Sequence, residues 1–263
     1  MTPETQQTHR IGSLRFRTIT TYGPAGTTFL LVHGIGMSHR YLARLHRSLT
    51  ARGTVISVDL PGFGGLPKPG RDVDIAEMAD GLAALLDRIR AEVIATGPVV
   101  LVGQSMGTQW MVELAARRPD LAQAVVLIGP VADERRRTVL QQAGLLAVDT
   151  VREPPRANAL VFADYLRCGP LWYLAQLRHM LGYRIENRIT RVQVPVLVLR
   201  GSRDPIASRA WCRRLSAAAD GAALIEIPSR VHNVQHTAAG AVASAIRDFC
   251  AARLAGQVQE GDG

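Results

Sequence analysis

Short apolar runs rich in valine, isoleucine and leucine recur along this chain, each separated from the next by a longer stretch with helical spacing. A strand covered on both faces carries continuous apolar sequence, and parallel strands need crossovers long enough to hold a helix. The pattern therefore predicts an α/β fold, a mostly parallel sheet with helices on both faces. Buried strands are expected at 28–33, 55–59, 99–103, 124–128, 196–200 and 223–227. Residues 11–20 alternate more strictly, as a strand or hairpin at the sheet edge would. Helices are expected over 75–95, where Ile75, Met78, Leu82, Leu85, Leu86 and Ile89 keep helical spacing, over 106–117, ended by Pro119, and over 239–254.

The alternation breaks at 131–191, which is too long for an ordinary connection and predicts an inserted helical cap. Within it, helices are expected at 158–167 and 170–181, the second with Leu171, Leu174, Leu177 and Leu181 along one side. The main domain is then 1–130 together with 192–255, followed by a small polar tail, 256–263, that is expected to be flexible.

A chain of 263 residues, 47% of them hydrophobic, can bury one sizeable core. It contains no apolar stretch of the roughly 18 residues that a membrane span requires. Its first ten residues, MTPETQQTHR, lack the apolar run of a secretion signal, so a soluble cytoplasmic protein is expected. The formal charge of +9 raises the question of nucleic acid, but the basic residues are arginines spread along the chain, with Lys68 the sole lysine. The densest run, Arg135-Arg136-Arg137, is short and has no interleaved aromatic platform, so nucleic-acid binding is not expected. Cys168, Cys212 and Cys250 lie far apart without metal-ligand spacing and read as buried, inert thiols.

The segment Gly103-Gln104-Ser105-Met106-Gly107 follows an expected buried strand and precedes an expected helix. That is the strand-turn-helix context in which a GxSxG motif forms a nucleophile elbow. The turn is so sharp that side chains at 103 and 107 would collide with the neighbouring strand and helix. Serine is a weak nucleophile at its own pKa and needs a base, which in turn needs an orienting group.

Five ordered segments complete the pattern: His33-Gly34-Ile35-Gly36, Asp59-Leu60-Pro61-Gly62-Phe63-Gly64, the elbow at Ser105, Gly201-Ser202-Arg203-Asp204, and His232 after the last strand. Over nearly its whole length the chain resembles the α/β-hydrolase fold superfamily. The resemblance implies an eight-stranded-type sheet and a catalytic triad in the order nucleophile, acid, histidine, which Ser105, Asp204 and His232 satisfy. Asp133 and Glu134 are the fallback acids. The family usually carries glycine before the histidine, where this chain has Val231, and His236 four residues on is the alternative base. The resemblance also implies an oxyanion hole from the backbone N–H groups of Ile35 and Met106, with His33 bracing that loop.

The implied reaction is acyl transfer without metal or organic cofactor. Its substrate is a small to medium hydrophobic ester, lactone or thioester, selected by the cap, where Phe162, Tyr165, Trp172 and Tyr173 could line an apolar pocket. Ser38, just beyond the oxyanion loop, is a further candidate contact, and the scattered arginines suggest an anionic group on the substrate. Two other readings stay open on the same fold: another reaction of the triad, such as carbon–carbon bond hydrolysis, cofactor-free peroxidation or a lyase step, and a non-catalytic ligand receptor.

Overall fold

The computed structural model describes residues 3–90, 97–152 and 155–254. The chain opens with a hairpin, β1 (Glu4–Ile11) and β2 (Leu14–Thr21), followed by β3 (Thr27–Val32), α1 (Ala43–Thr50) and β4 (Gly53–Asp59). Then come α2 (Ile75–Arg90), β5 (Val99–Gln104), α3 (Gly107–Arg117) and β6 (Ala124–Ile128). Four helices precede the next strand: α4 (Val139–Arg152), α5 (Pro155–Cys168), α6 (Pro170–Gly182) and α7 (Ile185–Arg188). The chain ends with β7 (Val196–Gly201), α8 (Arg209–Ala218), β8 (Ala223–Ile227), α9 (Val234–Thr237) and α10 (Ala239–Leu254).

The eight strands form one sheet in the order β1-β2-β4-β3-β5-β6-β7-β8. The pairs β1–β2 and β2–β4 are antiparallel, and all later pairs are parallel. This is the α/β-hydrolase architecture expected from the sequence. The side-chain alternation of a strand divides the core between the two faces. From β3, Leu30 and Val32 pack with α2 and α3 residues such as Leu82 and Trp110, whereas Phe29 and Leu31 pack with Leu45, Leu49 and Ile246 of α1 and α10.

Most expected elements lie within one or two residues of those observed, and the differences have physical causes. The edge strand at 11–20 is the second arm of a longer hairpin, whose turn is made by Gly12 at φ 58°. Its first arm is exposed along most of its length, which leaves no apolar alternation to read. The helix expected over 75–95 is described to Arg90, and residues 91–96 and the tail 256–263 lie outside the described residues. The helix α4 was not expected at all. It begins with a capping box in which the Gln141 amide donates to Thr138 Oγ1 at 3.3 Å and the Thr138 amide donates to Gln141 Oε1 at 3.2 Å. The three cysteines are buried, and burial pushes the thiols of Cys168 and Cys250 up to about 11. Among the described residues no helix is long and apolar enough to cross a membrane.

Candidate active site

The carboxyl ends of the parallel strands collect the chemistry-bearing segments at one edge of the sheet, the place where open α/β sheets bind ligands. Ser105 stands directly after β5, Ile35 three residues after β3, Asp204 three residues after β7 and His232 five residues after β8. Ser105 adopts φ 55°, a left-handed conformation that serine rarely takes. Its amide donates to the Ile128 carbonyl at 2.9 Å, which ties the turn to the end of β6, and its carbonyl accepts from the Thr108 amide at 3.0 Å. The flanking glycines are required by contact. A Cβ on Gly107 would lie 2.6 Å from the Val32 carbonyl oxygen, and one on Gly103 would run into the Gly107 carbonyl.

Asp204 is buried, and its two carboxylate oxygens have separate tasks. Oδ1 accepts the amides of Ile206 at 2.8 Å and Ala207 at 2.9 Å, and Oδ2 faces His232 Nδ1 at 2.9 Å. Arg200, itself buried in β7, fixes this loop by donating to the carbonyls of Ala207 at 2.6 Å and Asp204 at 3.1 Å. The fallback acids are engaged elsewhere: Arg214 donates to Asp133 at 2.6 Å and to Glu134 at 2.8 Å. His236 does not line the cavity that holds His232; its ring stacks on Tyr41 at 5.2 Å with the planes 7° apart. His232, not His236, is therefore the histidine beside Asp204.

Upstream, the loop after β3 is braced through the buried ring of His33. Its Nδ1–H donates to the Gly34 carbonyl at 2.7 Å, and its Nε2 accepts the Leu60 amide at 3.2 Å. Burial lowers its pKa, which keeps the ring neutral and suited to accept at one nitrogen while donating at the other. Among the described residues the amide N–H groups of Ile35 and Met106 have no hydrogen-bond partner.

Ser105, His232 and Ile35 open onto one cavity of about 290 Å³. Its wall is mostly apolar, with Met37, Val131, Leu146, Leu177, Met180 and Ile206 among the contributors, and its polar groups include Gln104, Gln142, Asp149 and Asn233. Of the four aromatic residues expected to line a pocket, Tyr165 and Tyr173 do. Their rings meet edge to face at 5.2 Å and their hydroxyls share a hydrogen bond. Burial pushes the Tyr165 phenol well above its ordinary range.

Three expected contacts lie elsewhere. Phe162 is 65% exposed on the outer side of α5. Trp172 points away from the cavity and packs on Phe63 at 6.2 Å and against Gly62. Ser38 is buried, and its hydroxyl donates to Asp164 of α5 at 2.6 Å, so it fastens α5 to the loop after β3. Among the described residues no arginine or lysine lines the cavity, and the side chains of Arg152 and Arg156 lie outside the described residues. Arg137 pairs with Glu186 at 2.7 Å, and Arg188 with Glu113 at 2.7 Å.

The wall also contains residues that sequence reasoning missed. Helix α4 supplies Val139, Gln142, Ala143, Leu146 and Asp149, spaced at three and four residues along one face. The signal was present in the Thr138-Val139-Leu140-Gln141 box and the apolar periodicity after it. Asp149 is buried, and its Oδ1 accepts the backbone N–H of His232 at 3.0 Å, joining the insertion to the histidine loop.

An uncharacterized protein of Mycobacterium tuberculosis is 34% identical over 122 residues, covering 44% of this chain and 34% of its own length. The chain thus spans about a third of that relative. The pimeloyl-[acyl-carrier protein] methyl ester esterase of Neisseria meningitidis is 28% identical over 252 residues, covering 83% of this chain and 91% of the relative. In fold, the chain is similar to the enol-lactonase of Burkholderia xenovorans LB400, with a TM-score of 0.76, 21% identity and coverage of 92% of this chain and 99% of that one. The sequence profile of the alpha/beta hydrolase family matches residues 29–245, and the chain belongs to that family.

Proposed function

We propose that this protein is a serine hydrolase that cleaves a carboxylic ester, lactone or thioester of a small to medium hydrophobic substrate. The observation that carries the reading is the arrangement around one cavity: Ser105 at φ 55° on a strand-helix elbow, with His232, on the same wall, held at Nδ1 by Asp204. The names of the relatives, an esterase and an enol-lactonase, lend support from outside the geometry.

In the proposed reaction, Ser105 Oγ attacks the carbonyl carbon as His232 Nε2 takes its proton. Asp204 keeps the proton of the neutral ring on Nδ1, so that Nε2 is the nitrogen that accepts, and stabilises the imidazolium that forms. The unpartnered amides of Ile35 and Met106 would donate to the oxygen on which negative charge develops. Collapse of the tetrahedral intermediate breaks the bond to the leaving oxygen or sulfur, which takes the proton from His232. Water, deprotonated by the same histidine, then releases the acid and restores Ser105.

A fluorophosphonate probe and a panel of nitrophenyl esters of rising acyl length test the reading. Covalent labelling at Ser105 and turnover that disappears in Ser105→Ala are expected. A folded protein that takes no label and hydrolyses none of the esters would return the receptor reading to first place.

A further inference from the structure

Helix α6 carries its polar and apolar side chains in an order that water does not favour. Its one amide, Gln176, is turned inward, where Nε2 donates to the Val73 carbonyl at 2.8 Å, and Trp172 and Met180 are buried too. Its outer side presents Leu171, 85% exposed, and Leu174, 57% exposed. A helix that faces solvent places such groups the other way round, amide out and leucine in. Across the turn at Gly169, Leu166 of α5 is 68% exposed. The excess is local. Among the described residues eight large apolar side chains are exposed, and all but Tyr22 lie between positions 139 and 174.

Positive charge flanks these leucines. Leu171 and Leu174 line a shallow groove together with Lys68, Arg71, Asp72 and Arg178. The Lys68 ammonium stands against the α5–α6 turn, 3.2 Å from where a Cβ on Gly169 would lie, and forms no ion pair among the described residues. Arg178 is paired with Asp72 and Arg71 with Glu77, while Arg167 shares the buried Asp164 with Arg40. In this set five cations stand against three carboxylates.

We propose that the tip formed by α5 and α6 docks on an anionic lipid surface, with Leu166, Leu171 and Leu174 entering the hydrocarbon boundary and Lys68 lying among the headgroup phosphates. A second copy of the chain would cover the leucines, but it would bring the same excess of cations face to face on a chain whose formal charge is +9. A lipid surface satisfies the leucines and the cations together. Being fluid, it also needs no complementary shape, which suits side chains that protrude. The docking does not depend on the hydrolase reading.

Co-sedimentation with vesicles of phosphatidylcholine alone, and of phosphatidylcholine mixed with phosphatidylglycerol, tests the proposal. Partition onto the mixed vesicles is expected to be at least about tenfold stronger than onto the neutral ones, and to weaken as salt is raised. Leu171→Ser combined with Leu174→Ser should lower it about tenfold or more and Lys68→Glu severalfold, whereas Tyr22→Ser, outside these helices, should bind as wild type. Leu171→Trp keeps the position apolar and gives an independent readout. Trp110, Trp172 and Trp211 are buried, so a blue shift and quenching by brominated lipid on the mixed vesicles belong to position 171. Equal partition onto the two kinds of vesicle overturns the proposal, as do undiminished binding by the double leucine variant and a tryptophan at 171 that stays unquenched on bound protein. Absence of vesicle binding overturns it as well, and a concentration-dependent dimer abolished by the same leucine substitutions would then assign the face to a second copy.

Discussion

Asp204 and His232 are joined through Oδ2 and Nδ1 at 2.9 Å, while the other oxygen of the same carboxylate accepts two backbone amides of its own loop. The carboxylate is therefore fixed in the plane that meets the ring, and its rotation would cost three hydrogen bonds. Asp204→Asn keeps the size of the side chain but can turn an N–H toward Nδ1, favouring the tautomer that leaves no lone pair at Nε2. On the proposed mechanism kcat should fall on the order of 10⁴-fold with little change in KM. Asp133→Asn, which perturbs only an ion pair with Arg214, should leave kcat near wild type. Steady-state kinetics on one nitrophenyl ester decides between them, and the reverse order would transfer the acid role to Asp133.

Ser105 holds φ 55°, where any side chain with a Cβ is strained and glycine is not. Ser105→Ala and Ser105→Gly both remove the hydroxyl, but only glycine releases the strain. A relief of about 1 kcal/mol corresponds to a Tm for Ser105→Gly about 2–4 °C above that of Ser105→Ala. Calorimetry on the two variants measures it directly. Equal melting temperatures would mean that the elbow stores no such strain.

The parts of the site that sequence alone revealed are those whose geometry is dictated by backbone. The strand-helix elbow at Ser105 follows from local glycine contacts, and the resemblance to the family pointed to the loop after β3 and to Asp204 and His232, which the strand order brings to the same edge of the sheet. The substrate wall follows from which face of each inserted helix meets the main domain, and aromatic identity does not encode that. Tyr165 and Tyr173 face the cavity, but Phe162, three residues before Tyr165, is on the outside, and Trp172, next to Tyr173, packs under the insertion. Asp149 was missed because no helix was placed at 139–152 within the expected helical segment 131–191, although the capping box was in view. The arginines misled for a different reason: their number says nothing of where they point, and carboxylates outside the cavity engage several of them.

Asp164 of α5 is fully buried and accepts from Ser38 at 2.6 Å and from Arg40 and Arg167, so one carboxylate secures α5 to the loop after β3. Asp164→Ala leaves Ser38 buried without its acceptor and removes the partner of both arginines. Because Arg40 and Arg167 are partly exposed, water compensates some of the loss, and about 1–3 kcal/mol of local stability should disappear. The effect should be confined to the insertion. Hydrogen exchange is expected to quicken in α5 and α6 while the strands keep their protection, and KM for the longer esters should rise more than kcat falls. Uniform loss of protection across the sheet would show that the contact supports the whole fold.

His46, on the buried face of α1, has Nδ1 at 2.8 Å from the Ser57 hydroxyl and Nε2 at 2.9 Å from the Thr21 hydroxyl. Burial, with smaller contributions from His39 and Arg47, lowers its pKa from the ordinary 6.5 to about 4. The unfolded chain therefore binds a proton in the window from 6.5 down to about 4 that the folded chain refuses. Stability is at its plateau above the window, declines as pH falls through it, and levels off once the folded state also protonates. The slope is at most about 1.4 kcal/mol per pH unit, and the whole drop is on the order of 3 kcal/mol. His33, whose pKa burial also lowers, acts in the same sense. Asp59 acts later. Burial would raise its pKa, but His39 overcomes this and holds it below 3.8, so its contribution is intact through the histidine window and is lost only beneath it. His46→Gln can still bond both hydroxyls and does not titrate. Its urea-unfolding free energy should fall less than that of wild type between about pH 7 and pH 4.5, the remainder of the slope belonging to His33 and His236, whose pKa values burial also lowers. Parallel pH profiles for the two proteins would mean that His46 does not sense acid in the folded state.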